Sequence, residues 1–429
     1  MQTGLSQAIP EVLWNLKKCS GICVIKYDTV FILAALKVLF LANRIPYPPF
    51  RGDKLKIYNL SRRLCKDHEL YLIAFVESRE ELKYKKELDP IFKEVHLIYQ
   101  PKWRSYVNTA WNLLYSAPFQ LAYFKSRKMA KTVKSFLASH PIDIIHTQHL
   151  RMSQYTWDLI QYPRILDLPD AYSLYWKRRK EVQRPWWNRV FDAMESKRVI
   201  EAERIVIHFE LNLVCSVEDR DHLRDIHPIA DVKLLRNGVD LETFQYKNQD
   251  YSRANTLLFT GNMDYAPNVD AVVYFVENMW PELTTKYPTL RLVIAGQRPI
   301  KQVLDLATDN IEVTGFVEDI SEMYTQADIV IAPLRFGAGT QNKVLEALAM
   351  GVPVVCTNIG FKGLEIKSGE GVFHAKNDNQ FVAHVSALLD SESLRRETGQ
   401  KGLELARTKF SWDGIAKDLE EHFLSICLD

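Results

Sequence analysis

Short apolar runs alternate with helical stretches along most of this chain. In the first half, these runs predict β-strands over residues 38–42, 70–75, 95–99, 142–146, 165–168, 205–207 and 213–215. In the second half, they predict strands over residues 257–260, 291–295, 311–314, 329–333 and 352–356. Strands that alternate with helices form parallel, doubly wound sheets. Because one sheet rarely holds so many strands, the pattern predicts an α/β protein with two Rossmann-like domains.

The length of the chain agrees with this division. At about 150 residues per domain, 429 residues hold two or three domains. We expect a first domain over residues 35–230, a hinge over 231–254 and a second domain over 255–408. Residues 1–34 are expected to be an N-terminal extension without the charged start and cleavage site of a signal peptide. The apolar stretch 29–42 is too short for a membrane span of about 20 residues.

Composition and charge narrow the functional classes. Charged residues make up 25% of the chain and hydrophobic residues 47%, which is ordinary for a globular protein. The formal net charge of +2 gives no argument for nucleic-acid binding. The six cysteines are scattered, mostly in apolar segments, so we expect free thiols in a reducing compartment and a cytoplasmic protein.

The segment from Asp328 to Cys356 is the most informative part of the chain. An apolar strand is followed by a glycine loop, a short helix and a second apolar strand. Thr340 suits the N-cap of this helix, and Gly351 suits the left-handed position that ends it. Lys343 falls in the first turn, where a cation opposes the helix dipole by about 0.3–1 kcal/mol. The lysine indicates either an anion bound at the helix start or an ordinary helix whose lysine extends to solvent.

The helix sequence also contains a motif. Residues 344–355 read Val-Leu-Glu-Ala-Leu-Ala-Met-Gly-Val-Pro-Val-Val. This segment resembles the donor-binding motif of GT-B fold glycosyltransferases of the family 4 type, the glycosyl transferases group 1. The family normally carries two glutamates eight positions apart; the second matches Glu346, and the first falls on Ala338. A branch with the pattern G-x-x-x-N-K-V-L-E also lacks the first glutamate.

The resemblance implies a fold and a reaction. Its fold has two Rossmann-like domains facing each other across a cleft, with the acceptor on the first and the donor on the second. Its reaction is retaining and metal-independent, and moves a sugar from a nucleotide-diphosphate sugar to a glycan or lipid-linked acceptor in polysaccharide or cell-envelope glycan synthesis. The nucleotide sugar is a co-substrate, and no cofactor is expected. The last helix, over residues 409–429, is expected to cross back to the first domain.

The resemblance also implies donor-binding residues: one in the glycine loop after the first strand of the first domain, and the others at strand ends and in the loop and helix of residues 335–346 in the second domain. They are Gly52, Gly261, Asn262, Gly296, Gly315, Arg335, Gly339, Thr340, Gln341, Asn342, Lys343 and Glu346. Where the family usually has an arginine and a lysine after the first strand of this domain, the chain has Asn262 and Asp264. We therefore expect Lys343 and Arg335 to bind the diphosphate.

Catalytic and acceptor-side residues follow from the same resemblance. The expected catalytic residues are Asp170, Lys343 and Glu346, and the expected acceptor-side residues are Arg44, Asp53, His146 and Asp167. Asp170 follows a strand at the depth where family members place a His or Asp near the sugar, although an aspartate in such a loop is also a common turn residue. His146 is expected to line the cleft rather than to bind a metal.

No metal site is expected. Asp219-Arg-Asp221 matches the D-x-D pattern of metal-dependent sugar transferases with another fold. Ser216, three residues before Asp219, predicts instead a capping box at the start of a helix.

Two stretches, 102–131 and 172–189, combine basic and aromatic residues, including Lys177-Arg-Arg-Lys180 and Trp186-Trp187. This composition suits a surface that contacts anionic lipid, and it also suits a solvated helix face above core aromatics. We expect peripheral contact with an anionic membrane at its cytoplasmic face.

Two other functions stay open at this point. The first is a nucleotide-sugar epimerase, which shares the fold. The second is an inactive glycosyltransferase-like scaffold, suggested by Ala338 and by the missing basic pair at Asn262 and Asp264.

Overall fold

The computed structural model consists of two α/β domains, each built on one parallel sheet. It describes residues 25–27, 30–32, 35–49, 52–112, 117–181, 186–337 and 340–428. The predicted extension 1–34 lies mostly outside these residues. Two short antiparallel strands, β1 (Ile25–Tyr27) and β2 (Val30–Ile32), are described within it.

The first domain contains a seven-stranded sheet. Its strands are β3 (Lys37–Ala42), β4 (Glu69–Val76), β5 (Glu94–Tyr99), β6 (Ile144–Gln148), β7 (Arg164–Leu168), β8 (Leu211–Val214) and β9 (Val232–Leu234). They are arranged in the order β5-β4-β3-β6-β7-β8-β9, and every neighbouring pair is parallel.

The second domain contains a six-stranded sheet. Its strands are β10 (Thr256–Thr260), β11 (Arg291–Ala295), β12 (Ile311–Gly315), β13 (Ile329–Ala332), β14 (Val354–Thr357) and β15 (Val372–Ala375). They are arranged in the order β12-β11-β10-β13-β14-β15, again with parallel pairs throughout.

Helices connect the strands. In the first domain they are α1 (Gly52–Leu64), α2 (Lys85–Leu88), α3 (Lys102–Trp111), α4 (Phe119–Tyr123), α5 (Arg127–Ser139), α6 (Tyr172–Glu181), α7 (Trp186–Glu203) and α8 (Val217–Ile226). In the second they are α9 (Ala266–Asn278), α10 (Trp280–Lys286), α11 (Lys301–Leu304), α12 (Ile320–Gln326), α13 (Asn342–Ala349), α14 (Asn358–Phe361), α15 (Asp378–Asp390) and α16 (Glu392–Lys409), followed by α17 (Trp412–Leu428). Short 3₁₀ helices are Glu80–Tyr84, Leu150–Tyr155, Arg204–His208 and Lys362–Leu364.

Both sheets follow the doubly wound strand order. The order reverses between β3 and β6 in the first sheet, and between β10 and β13 in the second. In such sheets, ligands bind beyond the carboxyl ends of the strands at the point of reversal. The predicted fold class is confirmed, and this topology indicates where a binding site should lie.

The structure corrects three details of the strand prediction. Residues 205–207 lie in the 3₁₀ helix Arg204–His208, because an apolar run of three residues does not distinguish a strand from a helical turn. Two strands were not predicted, β9 and β15; Lys233 and His374 interrupt their short apolar runs. β9 lies within the range predicted as the hinge and forms the edge of the first sheet.

The last helix packs on the first domain. Trp412, Leu419 and Phe423 of α17 are buried in the hydrophobic core that also contains Phe40 of β3. Arg63 of α1 pairs with Asp413 at 2.8 Å. The domain boundaries given above remain our proposed division of the chain.

Candidate active site at the interdomain cleft

Three glycines meet at the carboxyl edge of the second sheet. Gly261 and Gly296 directly follow β10 and β11, and Gly315 ends β12; their φ angles are 156°, 152° and 71°. A Cβ on Gly296 would lie 1.7 Å from the carbonyl oxygen of Gly261, so this approach requires glycine. These predicted donor-side glycines therefore share one edge, at the point where the strand order indicates a binding site.

Lys343 lies in the first turn of α13, as predicted. Its side chain is buried; Nζ donates to Asn268 Oδ1 at 2.8 Å and lies 4.3 Å from the centre of the Phe259 ring. Asn268 Nδ2 donates to the carbonyl oxygen of Asn262 at 3.0 Å. Burial lowers the pKa of Lys343 to about 7, although the nearby carboxylate of Glu346 opposes this shift. The buried amine is thus linked to the loop after β10.

Glu346, one turn further along α13, is held by a tyrosine that the sequence did not indicate. The Tyr324 hydroxyl donates to Glu346 Oε2 at 2.6 Å, and Thr260 Oγ1 lies 2.8 Å from the Tyr324 hydroxyl oxygen. Burial raises the pKa of Glu346, while Tyr324 and Lys343 partly offset the rise. Tyr324 lies beside this carboxylate because α12 and α13 both pack on the second sheet, which no local sequence pattern reveals.

Arg335, which we expect to bind the diphosphate, forms an ion pair within its own domain. Its Nε and Nη2 atoms bond the carboxylate of Asp270 on α9 at 2.8 and 2.5 Å, and its guanidinium lies 4.1 Å from the centre of the Tyr274 ring. Such a bidentate pair is strong and geometrically specific. Binding of Arg335 to a diphosphate would require this pair to open, so Lys343 is the better placed cation.

The start of α13 differs from the prediction. Gln341 occupies the N-cap, not Thr340. The Thr340 hydroxyl donates to the carbonyl oxygen of Cys215 in the first domain at 3.1 Å, so this side chain is used in a domain contact. Gly351 has φ 71° after the helix, as predicted for its C-terminal stop. Gly339 and Ala338 lie outside the described residues.

Asn262, also predicted on the donor side, is hydrogen-bonded to the loop that follows β11. Gln297 Nε2 donates to its Oδ1 at 2.7 Å. This contact orients the side chain that stands where the family usually has an arginine.

On the first domain, Arg44 and Asp53 form a fixed network. Arg44 Nη1 lies 2.7 Å from Asp53 Oδ2, and Arg44 Nε lies 2.5 Å from Glu77 Oε1. Gln148, the last residue of β6, donates from Nε2 to the backbone oxygen of Asp53 at 2.6 Å. The loop after β3 is therefore tied to the end of β6, across the point of strand reversal.

Asp167 and His146 do not line the cleft as predicted. Both are fully buried: Lys56 Nζ donates to Asp167 Oδ1 at 2.7 Å, and His146 Nε2 lies 3.3 Å from Asp167 Oδ2. Burial alone would raise the pKa of Asp167, but the Lys56 ammonium and the hydrogen bond from His146 lower it to about 2. Both residues lie within β6 and β7, whose residues are all buried, so these groups belong to the domain interior.

Asp170 lies just beyond β7 and keeps part of its surface exposed. Burial and the nearby carboxylate of Asp219 raise its pKa to about 7, while Arg151 and Arg178 oppose the rise. A carboxyl group with a pKa shifted toward neutrality, in a cleft, is a typical feature of a functional site. Its predicted catalytic role remains a proposal.

A cluster beside Asp170 was not predicted as part of the site. The Tyr172 hydroxyl lies 2.8 Å from Nδ1 of His149, and Arg151 Nη2 donates to the same hydroxyl at 2.5 Å. His149 adopts φ 81°, a left-handed conformation that side chains rarely take. Because the residue type does not reveal a positive φ, this cluster could not be predicted from the sequence.

Hydrogen bonds join the two domains at the start of α13. Arg178 Nη1 donates to the carbonyl oxygen of Gly337 at 2.9 Å, and Thr340 bonds Cys215 as described above. A Cβ placed on Gly52, the first residue of α1, would lie 3.5 Å from Asn342 Nδ2. The first turns of α1 and α13 therefore lie against each other, one from each domain.

In the basic run 177–180, the two arginines form ion pairs within the protein, whereas Lys177 is exposed. Arg178 pairs with Glu218, and Arg179 Nε pairs with Asp192 at 3.2 Å. The side chains of Lys180, Trp186 and Trp187 lie outside the described part of the chain. Because both arginines are used in internal ion pairs, this run is a poor candidate for lipid contact.

The stretch 102–131, in contrast, includes an exposed aromatic face on α3. Trp103, Tyr106 and Trp111 are 62%, 64% and 65% exposed. The opposite face is anchored by Ser105, whose Oγ accepts from Gln100 Nε2 at 3.0 Å. The helix is thus fixed to the domain while its aromatic side chains face solvent.

Asp219 has the structural role that was predicted for it. Ser216 is the N-cap of α8, and its Oγ accepts from the backbone nitrogen of Asp219 at 3.1 Å. Asp219 Oδ1 accepts from the backbone nitrogen of Ala171 at 3.1 Å. Within the described ranges, no three His, Cys, Asp or Glu side chains are grouped so that they could hold a metal ion.

The second domain is similar in sequence to a known protein family. Residues 254–391 match the family model described as glycosyl transferases group 1. A 44.6 kDa protein in the cps region of Klebsiella pneumoniae is 22% identical over 81% of this chain and 90% of its own. The O-antigen chain mannosyltransferase B of Escherichia coli is 28% identical over 40% of this chain and 45% of its own. Seven curated relatives, including the latter, are each matched over 58% of their own length or less.

A solved structure shows the same fold. The HepE protein of Anabaena, in complex with UDP and glucose, aligns with a TM-score of 0.65 and 14% identity over 91% of this chain and 100% of its own. The predicted GT-B fold, the resemblance to group 1 glycosyltransferases and the enzyme class are confirmed. None of the helices in the described ranges is both long enough and apolar enough to span a membrane.

Proposed function

We propose that the chain is a retaining, metal-independent glycosyltransferase of the group 1 type that uses a nucleotide-diphosphate sugar; the family match of its second domain and its GT-B fold support this proposal. Names of its relatives refer to O-antigen and capsular polysaccharide synthesis. We therefore place its product in polysaccharide or cell-envelope glycan synthesis, with a glycan or lipid-linked acceptor.

The observation that carries this proposal is the position of Lys343. Its buried amine lies in the first turn of α13 and contacts Asn268 in the first turn of α9. Both helix starts face the carboxyl edge of the second sheet, where backbone N–H groups and helix dipoles favour an anion. A diphosphate bound there would meet two helix N-termini and one cation, with Glu346 one turn away for the adjoining ribose.

The proposed reaction takes place between this diphosphate and the first domain. The bond between the anomeric carbon and the diphosphate oxygen breaks, and the acceptor oxygen bonds the same face of the sugar. The acceptor proton passes to the departing diphosphate. Lys343 stabilises the negative charge of the leaving group, and the carboxylate of Asp170 stabilises positive charge that develops on the sugar.

We place the acceptor at a membrane surface on the cytoplasmic side, with α3 as the contact. Trp103, Tyr106 and Trp111 suit the interfacial region of a bilayer, where amphipathic rings are favoured. Lys102 and Arg104, also exposed on α3, complement anionic headgroups. The exposed rings and the charges lie on one short helix, so this helix can make the contact by itself.

Two experiments test the enzyme proposal. In a thermal-shift panel of UDP, GDP, ADP and their sugars, the cognate nucleotide at 100 times its Kd should stabilise the protein by about 2.7 kcal/mol. Glu346→Ala should then weaken donor binding and lower activity at least about tenfold, whereas Glu322→Ala, an exposed glutamate on α12, should not. If both variants show the same donor binding and activity, Glu346 does not contribute to the donor site.

Product analysis separates the alternatives. Transfer to an acceptor with the anomeric configuration of the donor supports the proposal, and an inverted product contradicts retention. Isomerised donor without acceptor identifies an epimerase. Nucleotide binding with neither product identifies an inactive scaffold.

A further inference from the structure

Arg151 differs from the other cations on the first-domain side of the cleft. Arg44 pairs with Asp53, Arg178 with Glu218, and Arg179 with Asp192. No carboxylate among the described residues lies within ion-pair distance of Arg151. Its nearest polar partners are both neutral: Gln120 Oε1 at 3.0 Å and the Tyr172 hydroxyl at 2.5 Å, each accepting from Nη2.

The guanidinium of Arg151 is also held in one place. It lies 5.0 Å from the centre of the Phe124 ring and 5.9 Å from that of Tyr172. Its Nε is buried and has no hydrogen-bond partner within the described structure. A buried donor without a partner destabilises the fold, and more so when the group is charged. The protein therefore maintains a rigid cation with unused donor capacity.

The surroundings of Arg151 connect two features of the proposed function. On one side, Arg151 contacts Tyr172, two residues after Asp170. The charge of Arg151 partly offsets the rise in the pKa of Asp170. On the other side, α4 supplies Gln120 and packs against α3, where Tyr106 meets Tyr123 of α4 edge-on at 5.9 Å between ring centres. Arg151 thus lies between the proposed reaction centre and the exposed aromatic face of α3.

We infer that Arg151 binds an oxyanion of the acceptor, located between the hydroxyl that receives the sugar and the part of the acceptor that reaches the membrane. Guanidinium groups bind phosphate and carboxylate with two parallel hydrogen bonds, and the planar, ring-flanked side chain suits this geometry. The oxyanion is either the phosphate of a lipid-linked acceptor or the carboxylate of an acidic sugar. This inference rests on the proposed function, because it assigns the acceptor of that reaction.

Equilibrium binding to the full chain tests the inference without needing turnover. The probes are decyl diphosphate, decyl glucuronide and decyl glucoside, each below its micelle concentration, and the readout is tryptophan fluorescence. We expect the wild-type protein to bind at least one anionic probe tenfold or more tightly than the neutral glucoside. Tighter binding of the diphosphate identifies a lipid phosphate, and tighter binding of the glucuronide identifies an acidic sugar.

Two variants examine Arg151 by different routes. Arg151→Gln removes the charge, and Gln120→Glu keeps Arg151 but supplies it with a carboxylate from α4. Both should reduce anionic-probe affinity to that of the glucoside, while Arg151→Lys should retain part of the preference. Arg127→Gln, an exposed arginine on α5, is the matched control and should bind all probes as the wild type does.

Two results would overturn the inference. One is equal affinity of the wild type for all three probes. The other is an anionic preference that survives in both Arg151→Gln and Gln120→Glu. Stabilisation by a nucleotide sugar is measured separately and reports on the donor site, so failure of the acceptor inference is distinguishable from failure of the proposed function.

Discussion

Lys343 Nζ donates a 2.8 Å hydrogen bond to Asn268 Oδ1, and this bond joins the first turns of α13 and α9. The two residues are 75 positions apart, so the strand order of the second sheet brings them together. The contact places a buried amine at the edge where both helices present their N-termini. It also determines how Lys343 should respond to substitution and to pH.

The first prediction concerns removal of this amine. Lys343→Met should lower turnover on the order of a hundredfold, or about 2.7 kcal/mol, with a smaller change in the donor KM, because the leaving group gains charge in the transition state. Lys343→Arg should restore activity only in part, since a planar fork does not replace a point charge. The measurements are kcat and KM for the donor.

The Lys343→Met substitution should not lower the stability of the fold. A methionine fills the space beside Phe259 without a buried charge, so the melting temperature of Lys343→Met should equal or exceed that of the wild type. Lys376→Met, at an exposed lysine, serves as the control for charge alone. Normal turnover in Lys343→Met together with a loss in Arg335→Ala would show that Arg335 leaves Asp270 to bind the diphosphate.

The second prediction concerns the pH dependence of donor binding. Burial lowers the pKa of Lys343 to about 7, and a bound diphosphate favours the charged amine. Above pH 7 the free protein must take up a proton on binding, so donor affinity should fall as pH rises from 7 to 9. Isothermal titration in buffers of different ionisation enthalpy should show uptake approaching one proton at pH 8.5. Proton uptake of the same size in Lys343→Met would assign the effect to another group.

How much of this site is visible in the sequence depends on the distance between partners along the chain. The helix 342–349 was predicted well, because its apolar spacing, Gly351 and the V-L-E-A motif all lie in one segment. Tyr324 was missed, because its contact with Glu346 exists only after two helices pack on the sheet. Apolar runs likewise predicted most strands, since burial of a parallel strand requires them.

Polar residues at strand ends were the hardest to assign. Asp167 and Asp170 are three positions apart, and both looked like cleft residues. β7 directs Asp167 into the interior, toward Lys56, whereas Asp170 lies beyond the strand. Lys56 comes from a helix more than a hundred positions earlier, so the pairing that makes Asp167 structural has no local signal.

The third prediction concerns the α3 surface. Replacing Trp103, Tyr106 and Trp111 together with serine should reduce co-sedimentation with phosphatidylglycerol vesicles at least tenfold, because these rings supply most of the apolar area on that face. A double variant, Ile160→Ser with Ile229→Ser, removes two isolated exposed apolar side chains and should bind vesicles normally. Equal sedimentation of the triple variant and the wild type would reject α3 as the membrane contact.

The fourth prediction concerns Asp170, whose carboxyl group connects stability with activity. Burial and Asp219 raise its pKa to about 7, from the 3.8 of an unfolded chain. Below pH 3.8 both states are protonated and the group has no effect on folding. Between pH 3.8 and 7 the unfolded state ionises first, so the carboxyl group increasingly destabilises the folded state, and above pH 7 the destabilisation is constant. Asp170→Asn removes this effect, so its gain in melting temperature over the wild type should grow from pH 4 to pH 7 and then level off.

Turnover should increase with pH, whereas the Asp170 carboxyl group lowers stability as pH rises. If the Asp170 carboxylate stabilises positive charge on the sugar, wild-type turnover should rise as pH passes through about 7, and Asp170→Asn should lose at least about tenfold in turnover at pH 8 and lack this rise. Asp158→Asn, at an exposed aspartate, should match the wild type in both respects. A more stable Asp170→Asn variant with full turnover would show that Asp170 destabilises the folded state but is not catalytic. A less stable variant would mean that its carboxyl group is needed for folding, which contradicts a raised pKa.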